Sequence, residues 1–159
     1  MTKISRLTTF ILVLLGVSLH INACANDLPQ KGKDFVVLKH GAYCRVMKAG
    51  VHLIENKGDF RKYWADAFGV DAPLPEVDFS REMVIAVFRG SHCTGGYEVS
   101  IGGVESNGDD LVVNVTYTDP GPKCIVTMAF TYPFLFASVS KPKGKVQLKE
   151  TRVVKQCGE

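Results

Sequence analysis

The sequence contains no set of residues arranged for catalysis and no run of ligands spaced for a metal. Its four histidines, His20, His40, His52 and His92, fall in separate segments. Its five cysteines are equally dispersed, without the close pairs of a zinc site. Internal repeats and low-complexity tracts are absent. Charge is scarce in net terms: the chain is +3, and the loss of Lys3 and Arg6 from the first 23 residues would leave +1. A near-neutral domain has no electrostatic footprint for nucleic acid. No cofactor signature is present either, because Gly95-Gly96 leads into a strand and not a helix, unlike a phosphate loop.

What is present begins with an export signal. Lys3 and Arg6 form a short basic region, and Phe10 to Leu19 form an apolar core broken by Gly16 and Ser18. That core is shorter than the roughly 20 residues a membrane-spanning helix needs. Residues 1–23 are therefore expected to be a signal peptide. Ala23-Cys24-Ala25 suits ordinary signal peptidase, while Ile21-Asn22-Ala23-Cys24 is similar to a bacterial lipobox with Cys24 as the acylated residue. The lipobox reading is preferred. It places the protein in the bacterial cell envelope, anchored by lipid at Cys24 and facing the periplasm or the cell surface. A soluble periplasmic protein is the alternative. Residues 24–34, polar and containing Pro29 and Gly32, read as a tether.

Without Cys24 the cysteines are even in number. Cys44, Cys93, Cys124 and Cys157 in an exported domain imply two disulfides, with three possible connectivities. The turn Glu105 to Asp110 joins two alternating segments, Tyr97 to Ile101 and Leu111 to Thr118, as a hairpin. With the turn centred near Asn107-Gly108, paired positions sum to about 215, which brings Cys93 close to Cys124. The expected bridges are Cys93–Cys124 and Cys44–Cys157.

At 159 residues the chain has room for one domain beyond the signal, spanning 35–159. Phe35 to Leu38, Cys44 to Met47 and Val51 to Ile54 read as short β runs. Asp59 suits a helix N-cap, followed by Phe60, Trp64, Ala67 and Phe68 on one face and Gly69 as the stop. The only tryptophan lies on that face and reads as core. Met83 to Phe88 is an unbroken apolar run, which implies a central strand buried on both faces. Cys124 to Tyr132, Phe134 to Ser140 and Val146 to Val154 are strand-like in turn. The expected fold is mainly β: a small antiparallel β-sandwich or partly closed barrel with one packed helix.

The stretch Ser91-His92-Cys93-Thr94-Gly95-Gly96-Tyr97 stands between the apolar strand and the hairpin. Its paired glycines imply a backbone shape that residues with a Cβ resist. His92 and Cys93 are adjacent on an extended chain and point apart, so they are badly placed to exchange a proton. The domain therefore reads as non-catalytic, with Thr94, Gly95, Gly96 and Tyr97 as the candidate partner-binding residues. The competing reading is purely structural, with the glycines allowing a bulge and Tyr97 packing into the core.

Val77-Asp78-Phe79-Ser80-Arg81-Glu82-Met83-Val84-Ile85-Ala86-Val87-Phe88-Arg89-Gly90, then Thr94-Gly95-Gly96-Tyr97, then Thr131-Tyr132-Pro133-Phe134, resemble the PrcB-type carboxyl-terminal domain. The resemblance covers roughly Val51 to Val154. Members are typically exported bacterial proteins, often lipoproteins, and the family is named for a subunit associated with a cell-surface protease complex. The resemblance implies an accessory or stabilising subunit that binds an exported protein such as a protease and catalyses nothing itself. A loop-type protease inhibitor is the alternative, since Thr-Gly-Gly-Tyr is loosely similar to the Thr-Thr-Gly-Tyr loop of chagasin-like inhibitors.

Overall fold

The computed structural model describes residues 34–158. The signal segment 1–23, Cys24 and all of the tether but Asp34 lie outside the described residues. The apolar run becomes β3 (Glu82–Phe88), and every residue from Met83 to Phe88 is buried. Such a strand needs cover on both faces. It has neighbours on both edges too, in a four-stranded antiparallel sheet ordered β1 (Phe35–Gly41), β6 (Phe134–Ser140), β3 and β2 (Gly50–Ile54).

Period-two alternation splits β3 between two cores. Met83, Ile85 and Val87, with Leu135, Ala137 and Val139 of β6, face a second sheet. That sheet is ordered β4 (Glu98–Asn107), β5 (Asp110–Pro120) and β7 (Val146–Lys155), and it contributes Val99, Ile101, Val113 and Val115. Val84, Ala86 and Phe88, with Phe134 and Phe136, face the helix α1 (Lys57–Phe68), which buries Phe60, Trp64 and Ala67. The result is three layers: helix, four-stranded sheet, three-stranded sheet. The described residues form a sandwich and not a closed barrel. Phe136 is fully buried and its ring lies 5.1 Å from that of Trp64 and 5.6 Å from that of Phe88.

The helix starts earlier than its apolar periodicity suggests. Asn56, and not Asp59, is the N-cap. Its Oδ1 accepts from the Asp59 N–H at 2.9 Å and its Nδ2 donates to the Asp59 carboxylate at 2.7 Å, so Asp59 completes the cap from inside the first turn. Gly69 ends the helix as expected, its N–H donating to the Ala65 carbonyl.

Four other expectations are corrected. Cys44 to Met47 forms no strand, and Cys124 to Tyr132 is a loop with a single bridge between Thr131 and His92. β7 joins its sheet parallel to β5, not antiparallel. The disulfide is Cys124–Cys157, in place of the expected Cys93–Cys124 and Cys44–Cys157, and Cys44 and Cys93 are free thiols.

The reason for the different pairing lies in the strands. Because β7 runs parallel to β5, Pro120 and Lys155 end side by side, and Cys124 and Cys157 follow just beyond them. The β4–β5 ladder stops at Glu98–Thr118, so its register does not extend to Cys93. Cys44 sits in the helix-side core, against the Tyr132 carbonyl, on the other side of the central sheet from β7. Burial pushes its thiol pKa up.

Candidate partner-binding site

The turn after β3 is shaped by close approach of a second segment. Gly96 has φ +87°, in the region that favours glycine, and a Cβ there would lie 2.8 Å from Val126 Cγ1 and 2.9 Å from Pro120 Cβ. A Cβ on Gly95 would overlap the Thr127 hydroxyl. The turn bends the chain away from β5, so residues 92–95 run beside 127–131 instead. His92 and Thr131 exchange backbone hydrogen bonds, both at 2.9 Å, and the Gly95 N–H donates to the Thr127 carbonyl. Thr131 is buried, and its hydroxyl donates to the Thr94 carbonyl at 2.8 Å.

These contacts hold up the loop 121–133 like a flap. One end is tied by the Cys124–Cys157 disulfide and by the Gly121 N–H donating to the Lys155 carbonyl at 3.0 Å. The other end is tied by Thr131 and by Tyr132, whose N–H donates to the Ala42 carbonyl. Between the two ties, Ile125 is fully exposed, Met128 is 89% exposed and Phe130 is 62% exposed. Three large apolar side chains exposed within six residues of one tethered loop make that loop the candidate interaction surface.

Behind the turn lies a charged and aromatic anchor. The Arg89 side chain is only 3% exposed. Its guanidinium lies 5.2 Å from the Tyr97 ring centre and 5.3 Å from that of Tyr117. It donates to the Glu98 carbonyl at 2.9 Å, the Thr118 carbonyl at 2.7 Å and the Asp119 carboxylate. Arg152 approaches the same carboxylate at 3.8 Å. A buried cation is tolerable because each of these acceptors compensates its lost hydration.

His92 stacks ring on ring with Tyr97. Burial, and then the neighbouring Arg89, hold the His92 pKa below its ordinary value. Its Nε2 is buried and has no hydrogen-bond partner among the described residues. Burial and the adjacent Glu150 raise the Tyr117 pKa to about 12.

The sequence-derived site residues thus come together but divide their tasks. Thr94, Gly95 and Gly96 support the loop, and Tyr97 joins the Arg89–His92 stack rather than the sandwich core. Sequence reasoning missed Ile125, Met128 and Phe130, because their segment reads as a strand. The available signal was Pro120-Gly121-Pro122 ahead of them, which breaks the preceding strand. Among the described residues no cluster of three or more His, Cys, Asp or Glu could hold a metal ion.

The class defined by this architecture is a small β-sandwich that displays a cross-linked apolar loop. The family model described as PrcB C-terminal matches residues 83–140, from the second residue of β3 to the end of β6. The family read from the motifs is therefore the family found for this stretch. The match is narrower than the Val51 to Val154 span expected, and it contains the whole turn, the hairpin and the loop. No curated protein matches the chain. No solved structure matches it either.

Proposed function

We infer that this chain is a non-catalytic accessory domain that binds an exported protein through the loop 121–133 and the turn beneath it. The exposed trio Ile125, Met128 and Phe130 is the observation that carries this reading. Methionine and aromatic side chains are enriched in interface cores, and a pre-tied loop loses little conformational freedom on docking. The PrcB C-terminal match to residues 83–140 supports a partner within a protease complex. The disulfide Cys124–Cys157 fits an oxidising, extracytoplasmic compartment. In this reading Cys24 carries a lipid that tethers the domain to the cell envelope.

The test is a cross-linked pull-down of the tagged, natively processed protein from its own cell envelope, with partners identified by mass. A protease recovered at stoichiometric level is the expected result. Residual activity of that protease then separates an accessory subunit, which leaves it active, from an inhibitor. Recovery of lipid and self alone would overturn the reading.

A further inference from the structure

The three-stranded sheet ends on β7, which among the described residues has β5 on one side and no strand on the other. From Lys149 to Lys155 every residue of β7 is exposed. A long open edge of this kind is a template for another strand unless something blunts it. β7 has neither a proline nor a bulge, and its ten residues keep one unbroken register with β5. It does carry charges, Lys149, Glu150, Arg152 and Lys155, which blunt an edge against a random strand, but Glu150 and Arg152 are of opposite sign and can pair across a matched one.

The ladder fixes which backbone groups are free. The Lys145 carbonyl accepts from Leu111 N–H and the Lys155 carbonyl accepts from Gly121 N–H, so odd-numbered residues of this strand turn their polar groups toward β5. Even-numbered residues therefore present theirs to the open side: Val146, Leu148, Glu150, Arg152 and Val154. An antiparallel strand added there must oppose its own outward residues to these.

We propose that the β7 edge is a homodimer interface, in which a second copy of this chain pairs antiparallel about a two-fold axis at Thr151. The occupant follows from charge complementarity. With the axis at Thr151, Glu150 faces Arg152 of the second copy and Leu148 faces Val154, each twice by symmetry. Opposite charges and apolar pairs directly across an antiparallel ladder are favourable. Moving the axis to Glu150 sets that carboxylate against itself, and moving it to Arg152 opposes two guanidinium groups. An axis at Lys149 faces Leu148 with Glu150, and one at Val153 faces Arg152 with Val154. Of the axes from Lys149 to Val153, which pair the longest stretches of the strand, only that at Thr151 satisfies both the ladder and the side chains. It joins the two three-stranded sheets into one six-stranded sheet.

The same axis brings the two Thr151 residues opposite each other as a non-hydrogen-bonded pair. Their Cα atoms would lie about 4.5 Å apart, within reach of a disulfide. Val153 instead faces Lys149. The test uses the natively processed chain carrying Cys93→Ser, so that its exposed thiol does not interfere. Oxidation of Thr151→Cys should give a covalent dimer at least an order of magnitude faster than oxidation of Val153→Cys at the same concentration. Charge reversal gives an independent readout: Arg152→Glu should yield the monomer mass, and Glu150→Arg with Arg152→Glu should restore the dimer mass. Equal cross-linking at the two cysteine positions would overturn the proposal, as would a double reversal that remains monomeric while folded by circular dichroism.

Discussion

The ring of His92 lies 3.9 Å from that of Tyr97, inclined by only 18°, with the Arg89 guanidinium on the tyrosine as well. A protonated imidazole would therefore stand beside a buried cation. Burial and Arg89 lower the folded-state pKa, so the unfolded chain binds this proton more tightly. Stability from this group is complete above the unfolded value of about 6.5 and is lost as pH falls through the depressed folded value. Thermal melts between neutral pH and mild acid should show a decline in the wild type that is smaller in His92→Gln. Parallel declines in both proteins would rule out this role for His92.

Arg89 is the least replaceable charge near the turn. Arg89→Ala leaves Asp119 with only the distant Arg152 and removes donors from two strand-end carbonyls. Breaking one side of a buried ion pair costs about 3–5 kcal/mol. Urea unfolding should report a loss in that range, and a loss within error of zero would contradict the anchoring role.

Gly96 is expected to reject any side chain. Gly96→Val adds a Cβ into Val126 and Pro120 at a positive φ. The backbone strain alone costs about 1–3 kcal/mol. The melting temperature should fall and the loop 121–133 should become sensitive to protease, whereas a variant as stable and resistant as wild type would refute the close approach.

The disulfide pairing has a direct chemical readout. Unreduced peptide mapping should find Cys124 joined to Cys157, with Cys93 alkylated rapidly in the folded protein and the partly buried Cys44 slowly. Cys157→Ser should cost about 3–4 kcal/mol for the sequence separation of 33 residues. A bridge between Cys93 and Cys124 would contradict the structure.

Much of the scaffold is legible from local pattern. Met83 to Phe88 is apolar at every position, so its central place follows from burial alone. Phe60, Trp64 and Ala67 mark the helix by their spacing, although Asn56 caps it with a side-chain bond that apolar periodicity does not register. The hairpin turn was legible in Asn107 and Gly108. Its register was not, because the two turn residues are Gly108 and Asp109, with Asn107 opposite Asp110, and the ladder shifts again at Gly102.

Pairing between distant strands left no local trace. Nothing in Val146 to Val154 distinguishes a parallel from an antiparallel partner, and the disulfide follows from that choice. Thr94 to Tyr97 was recognisable as a special turn from its glycines. What the turn holds was not, since Ile125, Met128 and Phe130 have the composition of a strand but lie in a loop with their side chains exposed.

The central claim is that this exposed trio contacts the partner. The direct measurement is a quantitative cross-linked pull-down from the native envelope, comparing wild type with Ile125→Ser, Met128→Ser and Phe130→Ser combined. Side chains this exposed contribute little to folding, so the melting temperature should change by no more than surface substitutions usually cause. The expected result is an intact, disulfide-bonded variant that loses the exported partner. A folded variant that retains its partner in full would contradict it.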